Sequence, residues 1–126
     1  MADEKRSKRS SGLTVLLVED EMMVARLAES MLVDLGHEVI GPVGWLNQAV
    51  KAAEREDVDF ALLDVTINGG KAFPLAAVLA ARGMPFIFTT GYGGARLAAP
   101  FEDSPVLQKP YRIEDLRAAI EAVYGR

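Results

Sequence analysis

Apolar residues along the chain fall into two alternating patterns. Leu13 to Val18 is a continuous apolar run broken only by Thr14, the pattern of a strand buried on both faces. Three acids follow at once, Glu19, Asp20 and Glu21. Met23, Val24, Leu27, Met31, Leu32 and Leu35 then recur at three- and four-residue spacing, which predicts an amphipathic helix ended by Gly36. His37 to Val43 predicts a second strand, and Leu46 to Glu56 an alanine-rich helix. Phe60 to Leu63 predicts a third strand, ended by Asp64. Asn68, Gly69 and Gly70 form a turn, and Pro74 sits in the first turn of a helix running to Arg82, where a missing N–H costs nothing. Pro85 to Thr89 predicts the fourth strand. The fourth connection is glycine-rich at Gly91, Gly93 and Gly94, with only Ala95 to Ala99 left for a helix before Pro100. Val106 and Leu107 form a short fifth strand, and Ile113, Leu116, Ile120 and Val123 mark a last helix.

Five apolar strands, each followed by a helical pattern, predict an α/β fold: a parallel sheet with helices on both faces. The 126 residues suffice for one domain. With no cysteine there is neither a disulfide framework nor a thiolate zinc site. No apolar run approaches the ~18–20 residues that span a bilayer, so the expectation is a cytoplasmic protein that does not engage the membrane. Net charge is −4, unevenly spread. Residues 1–12 hold Lys5, Arg6, Lys8 and Arg9 against Asp3 and Glu4, and are expected to be a disordered basic tail. The body, residues 13–126, is therefore acidic, which argues against a nucleic-acid partner, because such binding rests on neutralising phosphates.

Ligands of an open parallel sheet bind beyond the carboxyl ends of its strands. Strand one ends in Glu19-Asp20, strand three in Asp64, strand four in Thr89-Thr90 and strand five in Lys109-Pro110. Crowded carboxylates repel and need a compensating cation. A hard divalent ion such as Mg²⁺ supplies one while keeping positions for water and a phosphate oxygen. Carboxylates, a divalent ion, a lysine and a hydroxyl make a phosphoryl-transfer site, in which a carboxylate can itself be the nucleophile. Asp64 is the candidate. Taken singly, each residue has a plainer reading: Asp64 as a turn former, and Glu19-Asp20 as caps of the first helix. Gly69-Gly70 lacks the lysine of a phosphate-binding loop. The single histidine, His37, is expected on the surface, and Trp45 as a packing residue.

These four strand ends, read together, resemble the receiver domain of two-component response regulators over Leu13 to Arg126. Phe88-Thr89-Thr90-Gly91-Tyr92 is further similar to small receivers that carry Phe-Ala-Thr-Gly-Tyr, with Thr89 in place of the alanine. The resemblance implies a flavodoxin-like (βα)5 sandwich of three layers with strand order 2-1-3-4-5. It implies that Asp64 accepts a phosphoryl group from a histidine kinase or histidine phosphotransfer protein. It also implies Mg²⁺ held by Asp20, Asp64, the carbonyl of Thr66 and, through water, Glu19. Lys109 would pair with a phosphoryl oxygen after a cis Lys109-Pro110 bond, and Thr90 would donate a hydrogen bond to another. Val106 stands where receivers usually place a switching aromatic residue, which shifts the expected response to Thr90 and Gly91–Gly94, with Tyr92 as substitute. Asn68 replaces a frequent proline. The resemblance further implies a monomeric, stand-alone regulator that is no metabolic enzyme, with a downstream protein target on the face from strand four to the last helix.

Two other classes use similar parts. An aspartate-nucleophile phosphohydrolase normally has a second Asp two residues after the nucleophile, where this chain has Thr66. A flavodoxin-like or receiver-like binding module that takes no phosphate would not need the complete acid, threonine and lysine set. His37, between a helix and a strand, is badly placed for a phosphotransfer helix.

Overall fold

The computed structural model describes residues 12–91 and 97–124. In chain order these form β1 (Thr14–Val18), α1 (Met22–Asp34), β2 (Glu38–Val43), α2 (Leu46–Arg55) and β3 (Phe60–Asp64). A short pair follows, β4 (Thr66–Ile67) and β5 (Gly70–Lys71), then α3 (Phe73–Ala81), β6 (Phe86–Thr90), β7 (Val106–Gln108) and α4 (Ile113–Tyr124). The main sheet is parallel, with order β2-β1-β3-β6-β7, which is 2-1-3-4-5 when its strands alone are counted. No described helix is long and apolar enough to cross a membrane.

Strand alternation divides the core between the two faces of the sheet. Val15 and Leu17 of β1, Phe60 and Leu62 of β3 and Ile87 of β6 pack with Ala28 and Leu32 of α1 and Leu116 and Ile120 of α4. Leu16, Val18, Ala61, Leu63 and Phe88 point the other way, onto Ala49 and Ala53 of α2 and Leu75, Ala76 and Leu79 of α3. Alanines at the α2 contacts let that helix lie close to the sheet. Its C-terminus is held by Arg82, whose Nη1 donates to the carbonyls of Ala53 at 2.6 Å and Glu56 at 2.9 Å. A cation on free helix carbonyls meets both their hydrogen-bond and dipole requirements.

The edge strand β2 carries a bulge. Ile40 pairs with Leu16 and Val43 with Val18, so Gly41 and Pro42 stand opposite Leu17 alone. Gly41 has φ +109°, and a Cβ there would lie 2.6 Å from the Leu17 carbonyl oxygen. Only glycine fits. Beyond the bulge Val43 accepts from the Glu19 N–H at 3.0 Å, which fixes where β1 hands over to its acidic end.

Three expectations need correction. His37 is half-buried, not on the surface: its Nδ1 accepts from the Leu13 N–H at 3.1 Å and its ring meets Phe60 edge-on. Burial lowers its pKa, with the Asp59 charge acting the other way. Trp45 is 54% exposed at the N-cap of α2 and is no core residue. In the fourth connection the described part, residues 97–105, contains turns and no helix. There Phe101 covers the sheet instead, stacked on Phe73 and edge-on to Phe86 and Phe88. Residues 1–11, which include nearly all of the basic tail, and Tyr92 to Gly94 of the proposed switch segment lie outside the described residues.

Candidate functional site

The carboxyl ends of β1, β3, β6 and β7 meet at one edge of the sheet, as the strand-end reasoning requires. β1 stops at Val18 and delivers Glu19 and Asp20. β3 ends in Asp64, β6 in Thr90, and the residue after β7 is Lys109. Lys109 is anchored by its own backbone, the N–H donating to the Thr90 carbonyl at 2.7 Å, and the Lys109-Pro110 bond is cis. The Lys109 Nζ donates to Asp64 Oδ2 at 2.9 Å and to Glu19 Oε1 at 3.1 Å. Carboxylate oxygens of Glu19, Asp20 and Asp64 come within 4.8 Å of one another. Asp20 is exposed, while Glu19 and Asp64 are 5% and 8% exposed.

The charges in this cluster do not balance. Burial would lower the Lys109 pKa, yet its hydrogen bonds to Asp64 and Glu19 and their charges outweigh that and hold it above the ordinary lysine range. A simple ion pair would lower the pKa of Glu19. Instead burial pushes the Glu19 carboxyl up and the Asp64 charge adds to it, against hydrogen bonds from the Glu21 N–H and Lys109. One ammonium shared by several acids under-compensates them. The remaining negative charge, the all-oxygen donors and one solvent-facing carboxylate suit a hard divalent cation that keeps waters. The three carboxylates of Glu19, Asp20 and Asp64 therefore fit a Mg²⁺ ion.

The plainer reading of the acidic pair as helix caps fails. Glu21 is the N-cap of α1, and no side chain caps it. Glu19 Oε2 does accept from the Glu21 N–H at 3.1 Å, but this turn orients Glu19 toward Lys109. Thr66 lies beside Asp64, with its N–H 3.4 Å from Asp64 Oδ1. Thr90 is buried. Val106 is 43% exposed and pairs with Phe88 in the sheet.

Two features escaped the sequence pattern. The turn Asn68-Gly69-Gly70 closes a small antiparallel pair in which Thr66 faces Lys71, and the Lys71 Nζ donates to Thr66 Oγ1 at 3.0 Å. An Asn-Gly between a β-branched pair and a second short segment is the available signal for such a hairpin. Tyr111 is the other: its phenol is pushed up to about 12 by burial and by the Glu19 and Asp64 charges. With Lys109 and Pro110 it walls a mostly apolar groove of about 360 Å³, whose other side is Val24, Leu27 and Met31 of α1. No spacing rule marks it.

Residues 15–121 match the family model of the response regulator receiver domain. The transcriptional regulatory protein PdtaR of Mycobacterium tuberculosis is 29% identical over 116 residues; the match covers 89% of this chain but only 57% of PdtaR. Among solved structures, SdrG from Sphingomonas melonis Fr1 superposes with a TM-score of 0.80 at 38% identity, covering 88% of this chain and 95% of SdrG. The receiver domain of the sensor histidine kinase PA1611 from Pseudomonas aeruginosa also gives 0.80, at 28% identity over 92% of this chain and all of that domain. That structure has a magnesium ion coordinated in its active-site cleft.

Proposed function

The chain belongs to the response regulator receiver family, and from that premise we propose that it is a signalling domain phosphorylated on Asp64. The receiver unit is taken as residues 13–126, with 1–12 as a tail. The observation that carries the reading is the Lys109 bridge between Asp64 and Glu19, with Asp20 alongside. A lysine placed there offers its charge to an oxygen of the incoming phosphoryl group at the moment a bond to Asp64 forms.

In the reaction, an Asp64 carboxylate oxygen attacks phosphorus and the phosphohistidine nitrogen of a histidine kinase or phosphotransfer protein leaves with its bonding electrons. Lys109 turns from its carboxylate partners to a phosphoryl oxygen, and the Thr90 hydroxyl donates to another. Asp20, Asp64, the Thr66 carbonyl and, through water, Glu19 would hold Mg²⁺. When bound, that ion neutralises charge on the transferred oxygens. Such positioning and charge stabilisation are the protein's whole contribution; it turns over no metabolite.

Exposed Met22, Met23 and Leu27 of α1 offer a phosphodonor protein an apolar approach beside the site. The output is a change of partner binding on the face from β6 to α4. With Val106 in place of the usual aromatic, Thr90 and the Gly91–Gly94 segment carry the response. Incubation with phosphorylated histidine kinases tests the proposal: phosphate passes to the parent chain, whereas D64N leaves it on the kinase. Transfer to D64N would overturn the assignment.

A further inference from the structure

Trp45, the chain's only tryptophan, does little for the fold. It stands at the N-cap of α2, a position that usually carries Ser, Thr, Asp or Asn, and its side chain makes no capping hydrogen bond. Its indole is 54% exposed and belongs to neither core cluster. Yet the backbone around it is firmly held. The Leu46 N–H donates to the Asn68 carbonyl and the Ala49 N–H to the Trp45 carbonyl, both at 2.9 Å, and Trp45 bridges to Asn68 in the β4–β5 turn. On the other side Gly44 lies against the acidic loop, where a Cβ would sit 3.4 Å from the Asp20 Cα. Successive Cα atoms are about 3.8 Å apart, so the Trp45 Cα lies within about 9 Å of that of Asp20.

We propose that Trp45 determines phosphodonor specificity: its exposed indole binds the protein that carries phosphohistidine to Asp64. This rests on the reading of Asp64 as phosphoacceptor. The Asp20 carboxylate comes within 4.8 Å of that of Asp64. A protein–protein interface of ordinary size buries roughly 800 Å² on each partner, a disc about 16 Å in radius. Centred on these two carboxylates, that disc takes in Trp45. Moreover, α1 packs on one face of the sheet and α2 on the other, so the exposed Met22 and Met23 flank the acidic loop on one side and Trp45 on the other. A donor protein that straddles this edge meets both. Of these side chains the indole offers the largest rigid apolar area, fixed by two torsions, and tryptophan is among the side chains most enriched where binding energy concentrates. A small phosphodonor such as acetyl phosphate needs only the carboxylates, the divalent ion and Lys109, and gains nothing from the indole.

The test follows transfer to the full chain from the autophosphorylated histidine kinase that labels the parent fastest, over a range of receiver concentrations. The same chains are labelled in parallel by acetyl phosphate with Mg²⁺. Serine is a favoured N-cap, so W45S should melt at or above the parent temperature. It should need about thirtyfold more receiver to half-saturate transfer, the factor of a hot-spot side chain, with the limiting rate unchanged. W45F, which keeps an aromatic ring, should recover most of that loss. Acetyl phosphate should label W45S and the parent at the same rate. Equal transfer from the kinase to W45S and the parent overturns the inference, as does a loss shared by acetyl phosphate, which would make Trp45 a support of the acidic loop. A parent labelled by acetyl phosphate but by no kinase also overturns the inference alone. A parent that neither donor labels on Asp64 overturns the phosphoacceptor reading and this inference with it.

Discussion

Replacing Lys109 with methionine should expose how much of the site's electrostatic balance rests on one side chain. The stem keeps its volume, so packing changes little. The charge is lost between Asp64 at 2.9 Å and Glu19 at 3.1 Å, with the lysine, Asp64 and Glu19 side chains only 13%, 12% and 4% exposed. Removing one partner of a buried ion pair typically costs ~3–5 kcal/mol, because the charge left behind has neither water nor a counter-ion. The lower end, about 3 kcal/mol, applies here, since Glu19 can take up a proton and Asp20 keeps the cluster open to water. For a domain of this size that is a fall in Tm of roughly 10 °C. D64N removes one of the repelling acids and should leave Tm unchanged or raise it. Thermal unfolding at pH 7 followed by circular dichroism checks both. Millimolar Mg²⁺ should restore part of the K109M loss by supplying the missing positive charge. A K109M melt within 2–3 °C of the parent (about 1 kcal/mol or less), or a D64N melt as low as that of K109M, would refute the reasoning.

The same structure makes three further predictions. G41A forces a Cβ within 2.6 Å of the Leu17 carbonyl oxygen at φ +109°, and should cost about 2 kcal/mol or more in urea unfolding through strain and a shifted β1–β2 pairing. R82M, which frees the carbonyls of Ala53 and Glu56, should lower stability by roughly 1–2 kcal/mol, whereas D57A, which removes an almost fully exposed carboxylate from Arg82, should change little. Because burial depresses the His37 pKa in the folded state, the unfolded chain binds the proton first as pH falls below 6.5, and the parent loses stability from there down through the folded-state value; H37N, which keeps an acceptor but does not titrate, should flatten this part of the stability profile.

Much of the fold was legible because its strands are apolar on both sides. Leu13 to Val18 and Phe60 to Leu63 have no polar face to lose, so they belong at the centre of a covered sheet, and there they are found. The acids, threonine and lysine at strand ends were legible for the same reason: a polar residue directly after a buried strand must stand at its edge. What stayed hidden depends on contacts between elements. His37 was drawn inward by the free N–H of Leu13 and the edge of Phe60, neither near it in sequence. Trp45 remained outside because close-packed alanines fill the α2–sheet contact and leave no room for an indole. Phe101 replaces a helix in the described part of the fourth connection by joining an aromatic cluster whose members come from α3 and β6. The Lys71–Thr66 contact requires the hairpin register, which two-residue strands do not announce through periodicity.

The central claim is that Asp64 is the phosphoacceptor of a Mg²⁺-dependent site. Intact-mass measurement after incubation with acetyl phosphate tests it most directly. One phosphoryl group should add to the parent in the presence of Mg²⁺ and be absent after chelation, and D64N should gain none. Addition that persists in D64N, or that proceeds equally well without a divalent ion, would contradict the account.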